Sequence, residues 1–69
     1  HSTTSVTVIA ENAMLADAWA TAMLVLGRER GLKIANKRDL AVLFIERDVT
    51  SPHTKFKATP SARFSELQP

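Results

Sequence analysis

The sequence predicts an α+β fold, a small unit with the element order β-α-α-β-β. Three observations carry that reading. A β-branched run, V-T-V-I, opens the chain; the longest apolar stretch, residues 12–27, has helix signals at both ends; and two strand-length segments follow a second, shorter helical pattern.

Residues 4–10 read as the first strand, since Val6, Val8 and Ile9 are β-branched. Both of its faces are fairly apolar, which suits a strand inside a sheet. Glu11 and Asn12 then turn the chain into the long helix. Asn12 suits an N-cap, because its side chain can accept from an amide that lacks an intrahelical partner, and Gly27 suits the left-handed residue that ends a helix. Between them lie Ala, Met, Leu and Val, mostly strong helix formers. Leu15, Trp19, Ala22, Met23 and Leu26 form one stripe, while Ala16, Ala20 and Leu24 carry apolar character to the other sides. A helix apolar all round is expected to be buried, with Met14 and Met23 as core fillers.

Gly27-Arg28-Glu29-Arg30-Gly31 reads as a short charged connector. Leu32, Ile34, Ala35 and Leu40 then suggest a second short helix, with Lys33, Lys37 and Arg38 facing water. The continuous apolar run A-V-L-F-I at residues 41–45 is a candidate buried central strand, ended by Glu46-Arg47-Asp48. Residues 49–54, with Ser51-Pro52, read as a hairpin loop. Residues 55–59 alternate, so they predict a half-exposed strand with Phe56 and Ala58 inward, ended by Pro60. One further short element is expected around Phe64.

At 69 residues and without cysteine, the chain allows one small domain near the lower limit for a self-sufficient core. No apolar run reaches the roughly 20 residues needed to cross a bilayer. His1-Ser2-Thr3-Thr4 lacks the pattern of a signal peptide and reads as a disordered or extraneous start. Nine Lys and Arg against seven Asp and Glu leave a formal charge of +2. The acids Glu29, Asp39, Glu46 and Asp48 interrupt the basic residues, and Phe44, Phe56 and Phe64 sit in core-like patterns, so a nucleic-acid surface is not expected. His53 stands alone in a polar loop without a metal-binding companion. Ser51, Ser61 and Ser65 lack a nucleophile-elbow context, and neither glycine belongs to a phosphate-cradling motif. No catalytic residue is assigned.

Asp17 and Thr21 are the polar pair of the long helix. At i and i+4 they share a face, which places a carboxylate and a hydroxyl where a hard cation such as Mg2+ could use both. The structural alternative is that Thr21 bonds back to the carbonyl of Asp17 and that Asp17 meets an arginine or a capping amide.

The run S-V-T-V-I-A at residues 5–10, A-M-L-A-D-A-W-A-T-A-M-L-V-L-G at 13–27 and R-G-L-K-I-A at 30–35 resemble the C-terminal part of the ApbE family. The similarity extends to F-K-A-T-P-S-A-R-F at 56–64. These are FAD:protein FMN transferases, formerly described as thiamine-biosynthesis lipoproteins. The resemblance implies a C-terminal piece of a larger flavin-transferase fold. The reaction it implies is Mg2+-dependent transfer of FMN from FAD to a threonine of an acceptor flavoprotein, with release of AMP. It also implies Asp17 and Thr21 as metal ligands, FAD as substrate, and a periplasmic or membrane-anchored location. Trp19 departs from the smaller aliphatic residue usual there. The family's H-x-x-D-P-x-T-G segment and most flavin contacts belong upstream, and His1 does not match that histidine. Residues 1–69 are therefore expected to be a single C-terminal fragment, inactive without the remainder of the domain. The competing expectation is a non-catalytic interaction or structural module. The two differ in whether a metal response depends on Asp17.

Overall fold

The computed structural model describes residues 2–48 and 55–67. Its elements run β1 Ser2–Ile9, α1 Ala13–Lys37, β2 Ala41–Asp48, β3 Lys55–Pro60 and α2 Ala62–Leu67. The fold is α+β, a small antiparallel sheet with helices. The expected loop at 49–54, with Ser51, Pro52 and His53, lies outside the described residues, as does His1. Ser2, Thr3 and Thr4, expected as a disordered or extraneous start, instead belong to β1, where they pair with Asp48, Arg47 and Glu46.

Asn12 caps α1 as its residue type predicts: the side-chain Oδ1 accepts from the amide of Leu15 at 2.9 Å. Gly27 does not end the helix. With φ 84° and ψ 169° it adopts a conformation open essentially to glycine alone, and the helix resumes immediately beyond it. The expected connector is thus a kink followed by helix. Two contacts explain why the second arm, residues 28–37, holds against the sheet. Arg28 Nη1 donates to Glu46 Oε1 of β2 at 2.9 Å. Gly31 is buried, and a Cβ there would stand 2.6 Å from Phe44 Cζ and 3.0 Å from Met23 Sδ, so only glycine lets the backbone approach the ring this closely.

The helix stops in a Schellman arrangement. The Leu40 amide donates to Ala35 O at 2.8 Å and the Asp39 amide to Asn36 O at 3.4 Å. Asp39 takes the left-handed position, φ 56°, where glycine is usual. Leu40, expected on the second helix, instead sits just past its end and turns back to the core.

The sheet order is β1-β2-β3, both pairings antiparallel. The apolar run at 41–45 is central, as expected. Among the described residues β1 has a strand neighbour on one side only, although its two apolar faces predict an interior strand. Register places Val6 opposite Phe44, Val8 opposite Val42, and Phe44 opposite Thr59. Side chains alternate between faces, so these residues share the face beneath α1. Met23, Ala35, Val42 and Phe44 are fully buried there, with Val6, Val8, Trp19, Leu32 and Ile34 packed around them.

The same register corrects the reading of β3. Phe56 pairs with Arg47 and Ala58 with Ile45, which puts both on the face away from α1. Phe56 is 66 % exposed, with the Arg47 guanidinium 5.4 Å from its ring centroid. Alternation defines two faces without saying which one meets the helix. Here Thr59 takes the inner position, and its buried Oγ1 has no hydrogen-bond partner among the described residues.

Where β3 ends, Ser61 takes over the ladder. Its amide donates to Val42 O at 2.8 Å, and its hydroxyl accepts from the Val42 amide at 3.0 Å while donating to Leu40 O at 2.6 Å. The same oxygen caps α2 by accepting from the Phe64 amide at 3.3 Å. Asn36 Oδ1 accepts from the Ala62 amide at 2.9 Å. The short element expected around Phe64 is this helix, and Phe64 is buried.

Candidate functional site

The first arm of α1, residues 13–26, carries Asp17 and Thr21 on the side turned away from the sheet. A helix advances about 100° per residue. Trp19 and Met23, which pack on the core, therefore lie well round from the Asp17–Thr21 line. Both polar residues are exposed. This corrects the expectation of a helix buried on every side. Met14 and Val25 are each 83 % exposed and Leu24 is 50 % exposed, so Met23 alone of the two methionines fills the core. Asp17, expected among buried apolar side chains, is exposed instead.

Thr21 Oγ1 donates to the carbonyl of Asp17 at 3.0 Å, the backbone bond open to any helical threonine. That bond uses the hydroxyl proton and leaves the oxygen's lone pairs free to accept or ligate. No hydrogen bond or ion pair to the Asp17 carboxylate occurs among the described residues. The described cations that do pair, Arg28 and Arg63, meet Glu46, Asp39 and Glu66.

These donors fit a magnesium ion as far as they go. They are hard oxygens, one anionic and one neutral, on an accessible face, with no nitrogen or sulfur donor to favour a softer metal. They are also incomplete. Among the described residues no three His, Cys, Asp or Glu side chains gather into a metal-binding group. Further ligands would have to come from water, substrate phosphates or other protein groups.

Trp19, the departure in the motif, is half-buried on the core side, with the Arg38 guanidinium 5.7 Å from its ring centroid. It helps to line a groove of about 530 Å³ with Ile9, Leu15, Leu40, Arg63 and Leu67, on a different side of the helix from Asp17. Its bulk is therefore absorbed by packing and a cation–π contact rather than turned toward the polar pair. The context that sequence reasoning missed is the solvent-facing apolar surround of the pair. The signal was present as an apolar helix carrying a single polar strip.

Comparison with known proteins is consistent across three relatives. An FAD:protein FMN transferase of Escherichia coli is 41 % identical over 67 residues, covering 97 % of this chain and 18 % of that protein. Its namesake in Haemophilus influenzae is 39 % identical over 61 residues, covering 83 % of this chain and 18 % of the relative. A third, from Klebsiella pneumoniae, is 42 % identical over 48 residues, covering 70 % and 14 %. The chain thus spans about a fifth of the length of the curated relatives it matches. No solved structure matches it. The family model described as the ApbE family matches residues 1–44, a stretch that contains β1, all of α1 and the polar pair. With that match across well over half its residues, the chain belongs to the ApbE family.

Proposed function

We propose that this chain is the C-terminal part of an FAD:protein FMN transferase, in which Asp17 and Thr21 supply two oxygen ligands to a magnesium ion. The observation that carries the reading is the placement of the pair. The motif A-D-A-W-A-T-A puts both oxygens on the solvent-facing side of a helix whose neighbouring apolar side chains are uncovered. Their spacing of one turn places the carboxylate and the hydroxyl side by side, and the Thr21 hydroxyl is oriented by its bond to the Asp17 carbonyl.

In the proposed reaction an acceptor threonine oxygen bonds to the FMN phosphorus and the pyrophosphate P–O bond breaks. AMP leaves, and the hydroxyl proton passes to a base outside this stretch. A magnesium ion held by Asp17 and Thr21 would supply positive charge to offset the charge that develops on the phosphate oxygens. Asp17 contributes the anionic contact. Thr21 contributes a neutral one, oriented by its bond to the Asp17 carbonyl. By itself the chain is inactive, and the working protein is periplasmic or membrane-anchored. A second reading, a non-catalytic module, draws on that same Thr21 bond, which gives the hydroxyl a purely structural role.

A chimera separates the two readings. This chain replaces the matching 67 residues of the Escherichia coli relative, and covalent flavin on an acceptor protein is measured across a magnesium titration. Transfer by the chimera is expected, with Asp17→Ala lowering it on the order of 100-fold or more and weakening the magnesium dependence. Equal magnesium responses in the chimera and its Asp17→Ala variant would overturn the metal assignment. Efficient transfer by the 69-residue chain alone would overturn the claim that it is inactive in isolation.

A further inference from the structure

Along the sequence, acids interrupt the basic residues; in the fold, several of those acids are engaged elsewhere. Glu46 pairs with Arg28 at 2.9 Å, and Asp39 and Glu66 pair with Arg63 at 3.9 and 3.4 Å. The cations left over gather on the second arm of α1 and at its exit. Arg30, Lys33, Lys37 and Arg38 are exposed, and none of them forms an ion pair among the described residues. Glu29, the one acid of that arm, is exposed and without an ion pair as well. At about 100° and 1.5 Å per residue, Arg30, Lys33 and Lys37 fall within an arc of about 60° and form a stripe about 10 Å long.

The stripe leads to a cleft of about 470 Å³ lined by Trp19, Ile34, Lys37 and Arg38. Trp19 is the chain's one tryptophan, and the Arg38 guanidinium stands 5.7 Å from its ring centroid. A row of cations ending at an aromatic and aliphatic wall suits an anionic partner with an apolar anchor. Glu29 and Asn36, exposed beside the stripe, are polar, so this arm lacks the broad apolar face that enters a bilayer. A single aromatic residue already engaged by an arginine offers no run of stacking platforms for nucleic-acid bases. The chemistry therefore favours a protein with acidic side chains.

We propose that this face docks the acceptor protein of the flavin transfer. An acidic segment of the acceptor meets Arg30, Lys33 and Lys37, and an apolar side chain of that segment enters the Trp19 cleft. This deepens the reading of the chain as part of an FAD:protein FMN transferase and rests on it. Arg30 follows Thr21 by nine residues, at most about 14 Å along the helix. About four or five extended residues span that distance, so a segment held on the stripe can present a nearby threonine to the Asp17–Thr21 pair.

Charge reversal tests the proposal. In the Escherichia coli chimera, Lys33→Glu combined with Lys37→Glu is expected to raise the acceptor's KM on the order of tenfold at low salt, and less as salt rises. The kcat and the KM for FAD are expected to stay as they were. An acceptor KM indifferent to the reversal would overturn the proposal. Should the reversed chimera not fold, Lys33→Gln with Lys37→Gln is read instead, with a smaller rise in the same parameter expected and the same overturning result. A second measurement needs no activity: the fluorescence of Trp19 in the 69-residue chain is titrated with the same acceptor protein. Saturable binding, weakened on the order of tenfold by the reversal, is expected. Equal affinity in both chains, or no binding, would overturn the docking surface. A response to phosphatidylglycerol vesicles and none to the acceptor would make the partner a membrane, and would overturn it too. Charge-dependent acceptor binding with a chimera silent in FMN transfer counts against the proposed activity and leaves the docking surface standing.

Discussion

The two arms of α1 follow one another across a single glycine, yet their surfaces are arranged in opposite ways. The second arm, 28–37, is an ordinary amphipathic helix. Gly31 and Ala35 are buried against the sheet, Leu32 and Ile34 pack beside them, and Glu29, Arg30, Lys33 and Lys37 face water. The first arm, 13–26, buries only Met23 completely and presents Met14, Leu24 and Val25 to solvent alongside Asp17 and Thr21. Apolar content therefore does not decide which arm is better packed. The arm with more charge buries two residues against the sheet where the first buries one, and Gly31 is what lets it approach the Phe44 ring. The apolar surplus of the first arm surrounds the two residues on which the proposed chemistry rests.

That contrast can be tested by substitution, read as urea unfolding midpoints. Met23→Ala is expected to cost the most, about 2–5 kcal/mol, since it leaves a cavity at the first arm's one fully buried side chain. A loss below about 1 kcal/mol would mean that this arm is not anchored as described. Gly27→Ala is expected to cost about 1–3 kcal/mol through backbone strain alone, because a Cβ there would meet nothing within 4 Å. An unchanged midpoint would show that the kink is not needed. Val25→Lys should move the isolated chain by no more than about 0.5 kcal/mol, as for an ordinary exposed site. In the full-length chimera the same change should cost about 2 kcal/mol or more if the face is covered there. Equal effects in the two contexts would argue that Val25 stays in water.

Much of this was legible from residue types. The Asn12 cap, the central strand and the short element at Phe64 follow from local chemistry, and the specific A-D-A-x-A-T-A pattern carried the family. Three features were not, each for its own reason. Gly27 has the positive φ expected of a helix stop, but whether a chain leaves or resumes a helix after such a residue depends on what holds the next turn. Here that is Glu46 for Arg28 and Phe44 for Gly31, both distant in sequence. The inward face of β3 was misjudged because the alternation Phe56, Ala58 against Lys57, Thr59 fits either side, and only pairing with Phe44 decides. The outward exposure of Met14 and Val25 reverses the rule that apolar residues lie inside, a rule that holds for a surface already closed. The positions of Asp17 and Thr21 on one helical face followed from their spacing. What surrounds them needed coordinates.

Ser61 has a consequence for how the unit comes apart. Its one hydroxyl proton and its two lone pairs are all engaged, joining the start of the central strand, the exit of the long helix and the first turn of α2. Withdrawing α2 therefore strips Val42 and Leu40 of partners in the same motion, and the tail has no cheap way to fray past this point. The last helix is a clasp whose release and the loosening of the sheet's middle are one event.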